Sequence, residues 1–410
     1  MKVCLVGSVD IKSFPRMYKV ARALVKEGYE VVAVCMSLRR LKGFLPSREV
    51  YDGIRVKRVR PPLVWRTAGL KLLPVGLLLS YLRTLIEALR EKANIYHFFH
   101  LHALVLAPII RCLTKAEAVF YDGLEDYPYS FSRHLRRWLK IARSRFVRDM
   151  IFNLTYRLES MLISRTVDFV FTVDSADGIL YKRYKAVSEN VVKIQNVPEA
   201  KADVDGRLRR KLMAKYRGYK LLVYVGAIRR LRGCLNMVRA MRYVVEKVPD
   251  AKLLLIGPIT EEGFMEEASA LIKQYRLENN VEFLGFVPYD KLHTYLSVCH
   301  LGLTLDIPEH QSLIGTPTKL FLYMRAGLPV IASDLPIPRN VIRTAKCGIL
   351  VDPTDVKQIA EAIVRLLESP ELARQVGENG LRAVMEKYNW ELEEEKIIRV
   401  YRAYSGRGDG

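Results

Sequence analysis

Short apolar runs alternate with stretches of helical apolar spacing along most of the chain. Met1 to Ser8 reads as a strand ending in a turn. From Pro15 to Glu27 the residues Met17, Val20, Ala21, Leu24 and Val25 recur at helical spacing, and Gly28 ends the run. Tyr29 to Met36 is again continuously apolar. Strand, helix and strand in this order predict a βαβ unit and so a parallel sheet. Ile95 to Phe98, Ala118 to Tyr121 and Val167 to Val173 continue the pattern. Their near-continuous apolar character suits strands covered on both faces.

The alternation restarts after a polar stretch, Lys201 to Tyr219, which reads as a linker with an entry helix. Strands are expected at Leu221 to Gly226, Lys252 to Gly257, Val281 to Leu284, Leu301 to Leu305, Val330 to Ala332 and Gly348 to Val351. Helices are expected at Leu235 to Val248, Phe264 to Tyr275, Lys291 to Val298, Lys319 to Arg325 and Val356 to Leu367. The pattern predicts an α/β protein of two Rossmann-like doubly wound domains, residues 1–200 and 201–390; if they face each other across a cleft, the site lies between them. Residues 391–404 read as a C-terminal helix packing back on the first domain, and 405–410 as a disordered tail. Ligand crevices of such sheets lie at the carboxyl ends of the strands.

Composition narrows the class. Of 410 residues, 50% are hydrophobic and 27% charged, as in soluble globular proteins. The six cysteines stand singly and no C-x-x-C pair occurs, so no metal site is expected and a reducing cytoplasm fits. The apolar N-terminus runs straight into Gly7 and polar residues, a first strand rather than a leader. Leu72 to Leu82 is apolar but short and flanked by Lys71 and Arg83, and Ala93 to Ile110 holds three histidines and Pro108; neither reads as a membrane span.

The net charge of +22 is concentrated in the first half, where residues 1–200 carry 34 Lys and Arg against 18 Asp and Glu. Such a surface attracts phosphates or anionic lipid, and it also serves plain solubility. From Ser132 to Arg148, seven basic residues including Arg133, Arg136, Lys140 and Arg148 alternate with Leu135, Trp138, Leu139, Ile141 and Phe146. That reads as a basic amphipathic helix for an anionic membrane surface, or equally as a solvated face over a core stripe. Arg55 to Arg60 reads as a basic strand or hairpin. No recognised nucleic-acid motif is present, so nucleic acid is not an expected partner.

The chemistry-bearing residues gather at predicted strand ends. Gly7 closes the first strand and leaves room for a ligand beside the backbone. Asp122 and Glu125 follow the strand Ala118 to Tyr121, so their carboxylates are expected in the cleft, or as an N-cap pair. His97 ends another strand, as a core histidine or with a catalytic role. Arg229, Arg230 and Arg232 follow the strand ending at Gly226, where guanidinium groups can clamp a diphosphate. Gly315, Thr316 and Pro317 precede a helix that Thr316 can cap. Free amides there, with Thr318 and Lys319 in the first turn, make an anion site, or simply a well-capped core helix.

The second half resembles glycosyltransferase family 4 of the GT-B fold. The segments that carry the resemblance are Tyr224-Val-Gly226 with Arg232-Gly233, Val281 to Gly285, Thr316 to Ser333, Cys347 to Pro353 and Tyr388 to Glu391. Pro15-Arg16, Tyr96-His97, Tyr121-Asp122 and Asn196-Val-Pro198 are similar to landmarks of its first half. The resemblance implies a retaining, metal-independent transfer of sugar from a nucleotide diphosphate sugar to a glycan acceptor, lipid-linked or membrane-associated acceptors among them. No cofactor is implied, and the protein would work in the cytoplasm, at most peripherally on the membrane. Arg232 stands where the family usually has a phosphate-binding Lys, and Ala227 replaces the family's earlier Arg. Leu322 and Ile314 replace the acidic pair that would hold the donor ribose, and Leu124 replaces a His. Either Glu309, His310 and Gln311 rebuild the donor pocket, or the chain keeps the fold as a non-catalytic partner or sugar-phosphate binding module.

Overall fold

The computed structural model describes residues 1–36, 46–60, 73–138, 144–174, 178–404 and 406. The chain divides into two compact units, residues 1–195 with 393–410, and residues 196–392.

The first unit is built on strands β1 (Lys2–Gly7), β2 (Glu30–Met36), β3 (Arg48–Tyr51), β4 (Ile54–Val59), β5 (Ile95–Phe99), β6 (Ala118–Gly123), β7 (Phe169–Thr172) and β8 (Val191–Lys193). They form one sheet in the order β3-β4-β2-β1-β5-β6-β7-β8. Every pairing is parallel except that of β3 with β4, a hairpin turning through Asp52 and Gly53. Both turn residues have positive φ, as a two-residue hairpin of matching twist requires. The basic segment at 55–60 thus belongs to a hairpin, and Arg58 is neutralised by Asp10 and Glu49.

The second unit holds β9 (Lys220–Val225), β10 (Ala251–Ile256), β11 (Val281–Gly285), β12 (Leu301–Thr304), β13 (Val330–Ser333) and β14 (Gly348–Val351). All are parallel, in the order β11-β10-β9-β12-β13-β14. The order runs outward in both directions from β9 and β12, and such a reversal opens a crevice at the carboxyl ends of that pair. Aliphatic strand residues such as Leu222, Leu253 and Leu303 are wholly buried beneath the Cys234–Lys247 and Val356–Glu368 helices.

The basic stretch 132–148 is not one helix. Ser132 lies in the Tyr127–Trp138 helix, Arg145 begins a second at Arg145–Thr166, and residues 139–143 lie outside the described residues. The apolar segment before Arg83 lies, from Leu73 on, in a 19-residue helix, Leu73–Glu91, whose buried side Leu85 and Ala88 continue. The tail expected at 405–410 lies outside the described residues, apart from Gly406.

The first unit also buries ionisable groups in mutual contact. Arg16 Nε donates to Asp122 Oδ2 at 2.9 Å, and its Nη1 to the Ile194 carbonyl at 3.2 Å. Glu159 accepts from Tyr121 and Arg183, and Arg183 also reaches Asp126. Buried charges persist only when paired in this way.

Backbone approach at the reversal of the second sheet requires glycine. Gly233 has φ 69°, and a Cβ there would lie 2.1 Å from the Leu305 carbonyl oxygen. Gly218 has φ 85° but nothing within 4 Å of a Cβ. Gly233→Ala is therefore expected to cost about 3 kcal/mol or more, strain plus clash. Gly218→Ala should cost only about 1 kcal/mol, strain alone. The urea midpoints of the two variants, followed by fluorescence, check the difference.

Candidate functional site

Two loops meet where the second sheet reverses. The loop after β9 runs from Gly226 to Gly233 and leads into the Cys234–Lys247 helix. The segment after β12 runs Leu305-Asp306-Ile307, and the Ile307 amide donates to the Leu231 carbonyl at 3.0 Å. The absent side chain of Gly233 lets the first loop close onto Leu305. This closure places Arg232 beside Asp306.

Asp306 organises the site. Its Oδ1 accepts from Arg232 Nη1 at 2.9 Å, and its Oδ2 lies 3.3 Å from Lys319 Nζ. Ser333 Oγ donates to the Asp306 main-chain carbonyl at 2.8 Å and fixes the backbone. Asp306 and Lys319 are buried, whereas the Arg232 side chain is 35% exposed. Burial alone would raise the Asp306 carboxyl, but Lys319 and Arg232 outweigh it and hold it below the usual carboxylate value. Burial lowers the Lys319 ammonium; Asp306 opposes this, while Arg232 adds to it. Its Nζ also sits 5.1 Å from the centre of the Tyr224 ring. Two cations share this carboxylate at a partly exposed edge, and the Glu309 carboxylate also acts on Arg232.

The neighbouring candidates divide. Arg229 is half-buried, and its Nε has no hydrogen-bond partner among the described residues. Arg230 is held elsewhere, by Glu261 at 2.8 Å and Glu267 at 2.7 Å. It therefore does not join Arg232. The helix that follows is Thr318–Arg325, and Pro317 rather than Thr316 occupies its cap position. Lys319 lies in its first turn, and Gly315 ends the preceding short helix. Glu309 caps that short helix, His310–Ile314, in a reciprocal arrangement with Ser312. His310 and Gln311 form its first turn. Leu322 is buried in the apolar core and Ile314 is buried as well, so neither offers a polar group to a ligand.

The first-unit candidates are mostly sealed. Asp122 is the penultimate residue of β6 rather than a residue beyond it. It is fully buried, with its carboxylate on Arg16; burial raises it and Arg16 works against that. His97 is a core histidine. Its Nδ1 lies 2.7 Å from the Tyr401 hydroxyl, and burial, then Arg16, hold its imidazole well below the usual value. Glu125 is exposed, its carboxylate within 3.5 Å of the Ser130 hydroxyl. Gly7 ends β1, and a Cβ there would meet the Met17 sulfur at 2.9 Å.

Sequence reasoning passed over two residues. Asp306 stands two residues past the end of β12. His100 stands just past β5 with φ 71°, and Ser8 Oγ lies 3.2 Å from its Nδ1. Burial and then His102 push its imidazole down to about 4, so it is neutral at physiological pH. A strained non-glycine residue at a strand's carboxyl end marks a functional position more often than a packing one.

Residues 208–383 match the model of glycosyl transferases group 1. An uncharacterized glycosyltransferase of Methanocaldococcus jannaschii is 22% identical over 404 residues, covering 93% of this chain and 92% of that protein. A phosphatidyl-myo-inositol mannosyltransferase of Mycobacterium leprae is 28% identical over 179 residues, covering 43% of this chain and 44% of its own. Among solved structures, Anabaena HepE in complex with UDP and glucose superposes with a TM-score of 0.74 at 15% identity, covering 98% of this chain and 100% of the other. This likeness establishes the fold, two parallel-sheet α/β domains of GT-B type. The stretch that matches the glycosyl transferases group 1, residues 208–383, is the one that carries the Arg232–Asp306–Lys319 cluster.

Proposed function

We propose that the chain transfers a sugar from a nucleotide diphosphate sugar to a glycan acceptor, and that the second unit binds the donor diphosphate at Arg232 and Lys319. The single observation that carries this is the gathering of two cations, Arg232 and Lys319, on Asp306 at the carboxyl ends of β9 and β12. Breaking the sugar–phosphate bond leaves negative charge on the departing diphosphate. Arg232, Lys319 and the N-terminal turn of the Thr318–Arg325 helix are fixed in advance where that charge would collect. Arg232 offers a planar fork of donors for phosphate oxygens, and Lys319 a point charge. Asp306 stays ionised and holds both cations in place without itself meeting the phosphate.

These protein cations supply the charge that a metal ion supplies in other phosphate sites, which favours a metal-independent reaction. Retention of configuration and a lipid-linked or membrane-associated acceptor extend the family resemblance. A relative described as a phosphatidyl-myo-inositol mannosyltransferase is in keeping with the acceptor class. The buried Leu322 and Ile314 favour a second reading, a non-catalytic relative that binds a nucleotide or sugar phosphate without turnover. Under either reading the ribose must be held by groups other than a carboxylate of the Thr318–Arg325 helix.

Titration calorimetry with UDP and GDP in the presence of EDTA tests the donor site. Arg232→Ala and Lys319→Ala are each expected to weaken binding at least about tenfold, since each removes a charge-assisted contact. Arg230→Ala, whose guanidinium is occupied by Glu261 and Glu267, should change it less than about twofold. Equal loss in all three would contradict the assignment.

The depressed Lys319 ammonium gives a pH signature. It discharges at lower pH than an ordinary lysine, so affinity for the diphosphate should fall as pH rises through the alkaline range. Lys319→Arg keeps its charge there, and its affinity should stay flat over the same range.

A further inference from the structure

One face of the first sheet is covered by helices that are apolar on their outer sides as well as their inner ones. The connections from β4 to β5, β5 to β6 and β6 to β7 all step the same way across the sheet. Right-handed crossovers then place the Leu73–Glu91, Ala107–Leu113 and Arg145–Thr166 helices on one face. The middle helix packs against both of the others. Along Arg145–Thr166 the outward residues Phe146, Met150, Leu154, Leu158 and Met161 follow one another three or four apart, and all are exposed. Phe146 is 76% exposed and Leu154 68%. The row extends about 22 Å at the helical rise. Leu78, Leu82 and Ile86 repeat the spacing on the Leu73–Glu91 helix, and Ile109 and Leu113 stand between the two rows.

The border of this face is basic. On Arg145–Thr166 the exposed cations are Arg145, Arg148, Arg157 and Arg165, and the one exposed acid is Asp149, which lies between the first two. Arg83 stands beside Leu82 on the neighbouring helix. Among the described residues, Arg83, Arg157 and Arg165 have no acidic partner. A second copy of the chain docked here would bring arginines against arginines, with little negative charge to offset them. An anionic lipid surface matches both the apolar rows and their border. None of the described helices is long and apolar enough to cross a bilayer.

We propose that the outer face of these three helices lies in the surface of an anionic lipid bilayer, with the apolar rows at the boundary of headgroups and acyl chains. This gives the membrane-associated acceptor of the proposed function a definite place on the molecule, and rests on that reading only there. The seat is this three-helix face rather than a single helix at 132–148.

Flotation with vesicles of phosphatidylglycerol and phosphatidylcholine, with no sugar donor present, tests it. The chain should float with these vesicles and bind pure phosphatidylcholine at least about tenfold less well. The double variant Phe146→Glu/Leu154→Glu should lose at least about tenfold in binding to the anionic vesicles. Both side chains point outward, so its thermal midpoint should stay at the wild-type value. Arg157→Ser/Arg165→Ser should weaken binding and reduce its salt dependence. Absence of wild-type binding at low salt, or undiminished binding by the Glu variant, overturns the proposal. So does a dimer, seen by sedimentation, that the Glu variant dissolves while vesicles bind neither form. Vesicle binding by a chain that binds no nucleotide would sink the transferase reading and leave this one standing.

Discussion

One carboxylate, Asp306, holds two cations that would otherwise repel each other at the edge of a sheet. Without it, Arg232 and Lys319 would each need another counter-charge, and the buried ammonium of Lys319 would carry the full cost of its desolvation. The surrounding structure converges on this point. The Gly233 backbone closes against Leu305, Ser333 fixes the Asp306 carbonyl, and the strand order reverses between β9 and β12. Two cations are thus gathered at one strand edge, with the Glu309 carboxylate also acting on Arg232. That gathering of cations links the packing to the proposed function.

The first unit follows a different rule. Its buried ionisable groups are closed on themselves: Arg16 on Asp122, and Arg183 on Glu159 and Asp126. The chain therefore keeps its open polar groups at the strand ends, where Ser8 and His100 meet across β1 and β5. The family resemblance expects a His at position 124. Leu124 stands there, and His100 is the neutral imidazole that the structure sets at a strand end of this unit.

Most of the parallel strands could be read from the sequence because each is an apolar run bounded by turn residues, as at Lys2–Gly7 or Ala251–Ile256. The edge strand Arg48–Tyr51 was not, since its alternating, largely exposed residues carry no burial signal. The Arg145–Thr166 helix escaped for the opposite reason. Its apolar residues lie on two sides, which blurs a one-face period, and its basic start merged with the stretch before it. At the site, Arg232 and Lys319 were legible from loop position and helix start. Their shared partner was not, because Asp306 reaches them only through the crossing of β12 past β9, a long-range pairing with no local trace. Asp122 and His97 are buried, which a residue at a strand's end does not reveal until its neighbours are placed.

The proposed donor site stands or falls on whether Arg232 and Lys319, held by Asp306, receive a nucleotide diphosphate. Amide hydrogen exchange of the whole chain, with and without saturating UDP or GDP, reads this directly. The account predicts that protection appears at the loop 229–234 and at the first turn of the Thr318–Arg325 helix, with the Tyr121–Glu159–Arg183 region unchanged. Protection confined to the first unit, or no protection at all with either nucleotide, would contradict it.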